Sequence, residues 1–254
     1  MRQLTSPDVT NLSSAILDPI MRADPVGPRI TYYDDAIHST ATPERIELSA
    51  ATLANWAAKT GNLLRDELGA GAGSRIAVLL PAHWQTAAVL FGTWWIGAEV
   101  LLGASGDDAD VALCTADRLA QADGAVAATG GEVAVLSLDP FGRPAPEVPV
   151  GVTDYATAVR VHGDQIAAET VPGPALAGMS ADAVLAACAT SAATRGLTAA
   201  DRVWSAHDWD TPGALIDNML SVFAVGASLV QVARPDPDLQ ERRRAGEKVT
   251  RILS

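Results

Sequence analysis

The chain has 254 residues, 48% of them hydrophobic, and it carries a formal net charge of −12 at pH 7. This length is sufficient for the core of one large domain or two small ones. The acidic residues are dispersed along the chain, and a diffuse negative field argues against nucleic acid and anionic membranes as partners.

The sequence predicts a cytoplasmic protein. The N-terminal residues contain no uninterrupted apolar run, because Asp18 and Pro19 interrupt it, so no signal peptide is expected. The most apolar stretch, Ala87–Leu102, contains polar residues and is too short to span a bilayer. Cys114 and Cys188 lie among small apolar residues, which is typical of buried thiols in a reducing compartment.

The first predicted elements are a hairpin and a helix. After an N-terminal extension over residues 1–29, two short β-rich runs, Ile30–Tyr33 and Arg45–Leu48, are separated by turn-forming residues. Ser49 then suits the N-cap of a helix whose apolar residues recur with a period near 3.6, and Gly69 suits its C-terminal end. We therefore predict a hairpin with a long loop, followed by an amphipathic helix.

A strand–helix–strand unit follows. The run "SRIAVLLP" (Ser74–Pro81) is short and apolar, as a buried parallel strand would be, and an almost wholly apolar helix and the strand "EVLLGAS" come next. A right-handed crossover in a parallel sheet is the expected connection. Residues 110–138 repeat the pattern more weakly as strand, helix, short strand and strand. The Pro-rich segment 140–150 then predicts a subdomain junction.

The stretch "TSAATRG" (Thr190–Gly196) raises two interpretations, a phosphate-binding loop or the end of a helix. A phosphate loop needs glycines so that backbone N–H groups can approach the ligand, but Ala192 and Ala193 carry Cβ atoms. Ser180 is a good N-cap, and no residue from there to Arg195 breaks a helix. The sequence therefore favours a helix that ends at Gly196.

The remaining pattern is a strand in "DRVWSAH", a helix with Pro212 at its first position, a strand in "SLVQVAR" and a charged C-terminal helix within residues 235–254. Strands thus alternate with helices along most of the chain. We predict an α/β fold with two parallel-rich sheets flanked by helices.

Four short motifs, in this order, resemble the N-terminal part of the adenylate-forming enzymes. Ser74–Pro81 occupies the place of the family's "G-D-R-V-A-[IV]-L-L-P", and Ile96–Val100 that of "[KR]-A-G-A-V". Gly196–Val203 matches "G-L-T-P-x-D-R-V", and Val225–Val230 matches "L-x-x-G-A-x-[LV]-V". This superfamily includes acyl-CoA synthetases, peptide synthetase adenylation domains and luciferases. The resemblance implies a domain over residues 30–234 with the fold of the family's N-terminal lobe.

The chain departs from the family at the catalytic motifs. The family binds ATP with the loop "[ST]-S-G-T-T-G-x-P-K-G" and a further lysine in a C-terminal domain, whereas this chain has lysine only at Lys59 and Lys248. The remnant of that loop is expected in "TVPGPALAG" (residues 170–178). We also expect the chain to end before the family's adenine-binding segment, acidic ATP-binding motifs and mobile C-terminal domain.

These departures predict a catalytically incomplete, acyl-CoA-synthetase-like protein that acts by binding or interaction, with no catalytic residues and no cofactor. A protein partner, a second copy of the chain, or an acyl or nucleotide-like small molecule would be what it binds. The alternative is a part of an adenylate-forming ligase that a partner chain completes in trans and that acts on a carboxylic acid.

The candidate ligand pocket consists of His207, Asp208, Trp209 and Asp210. These residues follow a predicted strand at its carboxyl end, where open α/β sheets bind ligands. The resemblance places Trp209-Asp210 at the family's "F-D" or "Y-D" beside the acyl pocket. Trp209 would supply a flat apolar wall and His207 a hydrogen-bond donor. In the alternative, Trp209 packs in a loop and the next helix is capped by Asp210 or by Thr211, either of which suits the N-cap.

The remaining acidic and histidine residues do not predict a functional site. The acidic loop Gly106–Asp110 is more typical of a solvated loop than of a cation site, so no metal is expected. The histidines outside the cluster are isolated, His83 among them at a predicted helix start. No Ser-His-Asp arrangement is predicted.

Overall fold

The computed structural model describes residues 10–35, 44–103 and 108–253, and in these ranges the chain forms two β-sheets packed with helices. The strands are β1 (Pro28–Asp34), β2 (Glu44–Ser49), β3 (Arg75–Leu79), β4 (Glu99–Leu102), β5 (Val111–Cys114), β6 (Glu132–Val135), β7 (Thr153–Asp154), β8 (Arg202–Ser205), β9 (Ser228–Ala233) and β10 (Arg251–Ile252). The helices are α1 (Leu12–Ala23), α2 (Ala50–Asp66), α3 (Trp84–Trp95), α4 (Leu119–Val126), α5 (Tyr155–Ala158), α6 (Ala181–Arg195), α7 (Pro212–Leu215), α8 (Ser221–Ala224) and α9 (Pro237–Gly246). A π-helical turn, Ile216–Leu220, joins α7 to α8.

Strands from both ends of the chain form one sheet, here called the terminal sheet, in the order β10-β8-β9-β1-β2. The other sheet, here called the central sheet, has the order β4-β3-β5-β6-β7, and its strand pairs are parallel. In the terminal sheet β1 and β2 pair antiparallel, and the other described pairs are parallel. The predicted α/β fold with two parallel-rich sheets flanked by helices is confirmed.

The two strands of the predicted hairpin and the helix after it form as expected, and the loop expected between the strands, residues 36–43, lies outside the described residues. Ile30 of β1 pairs with Leu48 of β2 in an antiparallel register. The Ser49 hydroxyl caps α2 by accepting a hydrogen bond from the backbone N–H of Thr52 at 3.1 Å. The cap satisfies one of the N–H groups that have no partner within the first turn of a helix.

All residues of helix α3 are buried. It meets α2 at two glycines, Gly61 and Gly92. A Cβ atom at Gly92 would lie 2.7 Å from the carbonyl oxygen of Ala57 and 2.8 Å from the backbone nitrogen of Gly61. The two helices therefore touch backbone to backbone, and this contact fixes α3 and the loop that precedes it.

The stretch Thr190–Arg195 is helical and forms the last turns of α6, so the helix prediction is confirmed. The Ser180 hydroxyl accepts from the backbone N–H of Ala183 at 3.3 Å. Gly196 ends the helix in the left-handed conformation, with φ 61°. Glycine adopts this conformation without the steric cost that a Cβ atom imposes.

The C-terminal residues 235–254 differ from the predicted single helix. Helix α9 ends at Gly246, the chain turns at Lys248, where φ is 53°, and β10 then pairs parallel with β8. The backbone N–H of Thr250 donates to the carbonyl oxygen of Arg202 at 2.9 Å. The charged residues of this segment favour a solvated helix, and α9 forms among them. The β-branched residues after Lys248 favour a strand, and β10 forms there and pairs with β8.

Two further expectations differ from the structure between β5 and β7. The short strand expected before the last strand of residues 110–138 does not form, because α4 continues to Val126 and a turn then leads into β6. The segment 140–150 connects β6 to β7 of the same sheet. The chain crosses between the sheets elsewhere, from β2 to β3 and from β7 to β8.

The predicted N-terminal extension is part of the core where it is described. Helix α1 buries four large apolar side chains, Leu12, Ile16, Leu17 and Ile20, in the main hydrophobic cluster. Over the described ranges, no helix is both long enough and apolar enough to cross a membrane.

Candidate functional site

A cavity of about 790 Å³ lies where the carboxyl ends of strands from both sheets meet. The terminal sheet contributes Asp34 at the end of β1, Asp208 after β8 and Arg234 after β9. The central sheet contributes His83 after β3 and Ser137 after β6. Carboxyl ends of parallel strands are where open α/β sheets present ligand sites, so this cavity is the candidate site of the protein.

Two buried residues of the terminal sheet, Tyr32 and Gln231, line the cavity side by side, and Ser205, which is not part of the lining, continues their row. Gln231 of β9 is in register with Tyr32 of β1 on one side and with Ser205 of β8 on the other. Residues in register on neighbouring strands project from the same face of a sheet. Gln231 and Ser205 also hold the turn after β8. Gln231 Nε2 donates to the carbonyl oxygen of His207 at 3.1 Å, and Ser205 Oγ accepts from its N–H at 3.2 Å.

His83 lines the cavity from the other sheet and is 2% exposed. Its Nδ1 caps α3 by accepting from the backbone N–H of Gln85 at 3.1 Å. Burial lowers the pKa of His83 to about 3, although the negative charge of Asp34 acts in the opposite direction. The imidazole is therefore neutral at pH 7, and because Nδ1 is an acceptor, the ring proton is on Nε2.

The carboxylates around the cavity differ in how they are paired. Asp34 forms an ion pair with Arg234, whose Nε lies 3.1 Å from Oδ1. Asp139 Oδ2 accepts from Arg143 Nε at 3.0 Å. Asp208 is exposed, and no residue of the described ranges forms an ion pair or hydrogen bond with its carboxylate. Three carboxylates and the guanidinium of Arg234 thus line the cavity, which gives it negative charge.

The four residues of the predicted ligand pocket do not form one pocket in the structure. Asp208 lines the cavity, whereas His207 and Asp210 are exposed and are not part of its lining. Trp209 is 2% exposed and packs in the main hydrophobic cluster, as the alternative interpretation expects. The cap of α7 is Thr211, whose Oγ1 accepts from the N–H of Ala214 at 3.2 Å, and not Asp210. A ligand role for these residues stays a prediction.

Sequence reasoning missed Tyr32, His83 and Gln231. Gln231 carries a signal that could have found it, because it is an amide in a strand, "SLVQVA", whose residues after Ser228 are otherwise apolar. His83 follows a buried strand at its carboxyl end, which is also a recognisable position. Tyr32 carries no such signal, since an aromatic residue in a strand is ordinary.

The remnant expected at residues 170–178 lies against the edge of β4. The backbone N–H of Val100 donates to the carbonyl oxygen of Ala175 at 2.9 Å, and the N–H of Ala177 donates back to Val100 at 3.1 Å. Trp94 Nε1 also donates to the Ala175 carbonyl, at 2.7 Å. The segment is thus held as an addition to the edge of the central sheet.

Every backbone N–H from Thr170 to Met179 has an acceptor within the chain. The acceptors are Glu169 Oε1 for Thr170 and Val171, the Gly97 carbonyl for Gly173, the Met179 carbonyl for Ala175 and Leu176, the Val100 carbonyl for Ala177, Glu99 Oε1 for Gly178 and the Leu176 carbonyl for Met179. Pro172 and Pro174 have no N–H to offer. Two of the acceptors, Glu99 and Glu169, are carboxylates.

The acidic loop Gly106–Asp110 has a structural role in its described residues, 108–110. Asp110 Oδ2 accepts from the backbone N–H of Arg75 at 2.8 Å, and Asp108 forms an ion pair with the Arg75 guanidinium. Gly106 and Asp107 lie outside the described residues. In the ranges that the structure covers, no group of three or more His, Cys, Asp or Glu side chains is arranged to hold a metal ion.

Known structures share the arrangement of the two sheets. An acyl-CoA synthetase from Brucella canis superposes with a TM-score of 0.76 and 17% identity, over 98% of this chain and 48% of its own. MatB from Rhodopseudomonas palustris superposes with a TM-score of 0.72 and 18% identity, over 92% of this chain and 47% of its own. A benzoate CoA ligase from Burkholderia xenovorans superposes with a TM-score of 0.71 and 15% identity, over 96% of this chain and 50% of its own. The chain therefore has the fold of the N-terminal lobe of adenylate-forming enzymes, as the sequence resemblance implies, and it spans about half the length of these proteins.

A protein of Mycobacterium tuberculosis described as a TIGR03089 family protein is 70% identical over 252 residues, which are 98% of this chain and 100% of that relative. This chain belongs to the TIGR03089 family. No family model matches the chain.

Proposed function

We propose that this protein is a non-catalytic relative of the acyl-CoA synthetases, which binds a small molecule and does not adenylate a carboxylic acid by itself. The observation that carries the proposal is the bonding of residues 170–179. A phosphate loop binds its ligand with free backbone N–H groups, and here each N–H of the segment is already bonded within the chain. Binding a phosphate would require those bonds to break.

The charge of the segment supports the same conclusion. Glu99 and Glu169 present carboxylates where the resemblance would place the phosphates of ATP. The chain has no lysine between Lys59 and Lys248 to offset them. Like charges at close range are unfavourable, and more so at a partly buried site, where screening by solvent and salt is weaker.

The cavity between the two sheets supports a binding role. Its volume of about 790 Å³ lies in the range of small-molecule sites, and it combines apolar walls with a few polar groups. Of the candidate pocket residues, Asp208 is the one that contributes to its lining. We propose Asp208 as a ligand contact, with His207 and Asp210 at the rim.

The proposal has a direct enzymatic test. Pyrophosphate exchange is measured with the purified chain, Mg·ATP and a panel of aliphatic, aromatic and dicarboxylic acids, with an active acyl-CoA synthetase as the positive control. We expect exchange at background with every acid. Exchange above background that saturates with one of the acids would contradict the proposal.

A second candidate is a ligase that a partner chain completes in trans. The observation that favours it is coverage, because the chain spans about half the length of the synthetases that share its fold. Isolation of a tagged chain from its native host separates the two candidates. A stoichiometric partner that restores pyrophosphate exchange supports completion in trans, and a second copy of the chain or a partner without exchange supports a binding protein.

We also propose a cytoplasmic location. Cys114 and Cys188 are buried free thiols, and free thiols are the usual state of cysteine in a reducing compartment. Fractionation of the native host tests this location directly.

A further inference from the structure

We propose that the cavity between the two sheets binds a small organic amine, whose N–H groups are held by the side-chain oxygens of Gln231 and Asp208, and that it rejects carboxylates and phosphates. The inference rests on the proposed function, because it names the ligand class of a site that serves binding and not adenylation. It differs from what the fold relatives' names suggest, since those proteins are named for acyl or carboxylate chemistry.

The Gln231 amide provides the first argument. Its side chain is 1% exposed and lines the cavity. Nε2 donates to the carbonyl oxygen of His207, which fixes the orientation of the amide, because the flipped amide would bring two oxygens together. Its Oε1 is buried, and no described residue donates a hydrogen bond to it. A buried acceptor in a cavity wall fits a ligand that donates N–H or O–H, and it repels a carboxylate or phosphate oxygen.

The charge of the lining provides the second, independent argument. Asp34, Asp139 and Asp208 line the cavity together with the single guanidinium of Arg234. Asp34 and Asp139 are engaged by arginines, so the carboxylate of Asp208 remains for a ligand. His83 is held neutral in the same wall and does not reduce the negative charge. A cleft with this charge concentrates cations and excludes anions.

The walls indicate an organic ligand and not a bare cation. The apolar surfaces of the cavity are formed by four prolines, Tyr32 and Leu138. Apolar walls contribute to binding in proportion to the apolar ligand surface that they remove from water. His83 lines the same cavity with its proton on Nε2, so it can donate to an oxygen of the ligand if one is present.

The test compares amines and carboxylates that have the same body. Phenethylamine and 3-phenylpropionate, and hexylamine and hexanoate, are titrated into the purified full chain by calorimetry, with thermal shift as a second readout. We expect the amines to bind and to raise Tm, and the carboxylates to do neither. Binding of the carboxylates in preference to the amines, or no binding of any amine at millimolar concentration, would overturn the inference.

Matched variants test whether the amine binds at Asp208 and Gln231. Asp208→Asn and Gln231→Met should each weaken amine binding by about tenfold, because each removes a hydrogen bond to a charged group. Asp164→Asn changes an exposed carboxylate that lies outside the candidate pocket and is not part of the lining, and it should leave binding unchanged. Circular dichroism verifies that each variant is folded. Equal affinity in all three variants would place the amine elsewhere and overturn the inference.

The outcomes also separate this inference from the proposed function. Pyrophosphate exchange by the chain alone would contradict the proposed function, whatever the amines do. Background exchange together with carboxylate binding in the cavity would contradict only the ligand class.

Discussion

The His83 imidazole meets the Tyr32 ring edge-on, with 4.3 Å between the ring centroids and an angle of 72° between the planes. The contact joins the loop after β3 of the central sheet to β1 of the terminal sheet, and both residues line the cavity. The two sheets are thus held together at the candidate site by a neutral histidine, which makes the site sensitive to pH.

We predict that His83 makes the protein less stable as the pH falls. The folded pKa of about 3 lies below the unfolded value of about 6.5, so the unfolded state binds a proton first. Stability should fall by about 2 kcal/mol between pH 7 and pH 5. Denaturant unfolding at a series of pH values measures this loss.

The control for this prediction is His83→Asn, which keeps an acceptor for the N–H of Gln85 but does not titrate. Its stability should change less between pH 7 and pH 5 than that of the wild type. An equal loss in both proteins would mean that His83 is not the group responsible.

A second prediction concerns Glu247, whose carboxylate is nearly buried beside β1 and β8. Burial raises the pKa of Glu247, but hydrogen bonds from Arg45, Tyr33 and Arg202 outweigh it and lower the pKa to about 2. The group therefore stabilises the fold above its unfolded pKa of about 4.5, and this contribution is lost as the pH falls toward 2.

Glu247→Gln should lower the free energy of unfolding at pH 7 by on the order of 2 kcal/mol, and it should flatten the dependence of stability on pH below 4.5. Glu241→Gln is the matched control, because Glu241 is an exposed carboxylate of α9, the helix that ends directly before Glu247. Urea unfolding of both variants tests the prediction, and equal effects of the two changes would contradict it.

A third prediction concerns the contact between α2 and α3. Gly92→Ala should destabilise the protein by about 2 kcal/mol, because the new Cβ atom meets backbone atoms that cannot move aside. The gain of about 1 kcal/mol in helix propensity is smaller than this cost. Thermal unfolding measures the change.

Gly124→Ala in α4 is the control for that variant. No atom lies within 4 Å of a Cβ at Gly124, so only the propensity gain remains. It should be neutral or stabilising. If Gly92→Ala behaved in the same way, the close packing of the two helices would be wrong.

Local features of the fold were predictable from the sequence because their causes are local. The caps at Ser49 and Ser180 and the glycine at the end of α6 depend on backbone groups within one helical turn. The pairing of β1 with β9 joins residues almost two hundred positions apart. No local pattern specifies that partner, and for the same reason the strand β10 was missed.

The candidate site was predictable only in part. Its position at the carboxyl ends of strands follows from the α/β pattern, and Asp208 lies there. The cavity itself is formed by segments from five separate parts of the chain, and only their packing shows that Tyr32, His83 and Gln231 belong together. Trp209 packs in the main hydrophobic cluster, and the sequence left this placement open beside a role in the pocket.

The central claim is that the segment in place of the phosphate loop keeps its N–H groups for the chain itself, and hydrogen–deuterium exchange tests it most directly. Exchange of the backbone amides of residues 173–179 is followed with and without saturating Mg·ATP, with strand β3 as the protected reference. We predict that these amides are protected without nucleotide, as internally bonded amides are, and that Mg·ATP changes nothing. Rapid exchange without nucleotide, followed by protection when Mg·ATP is added, would contradict the account.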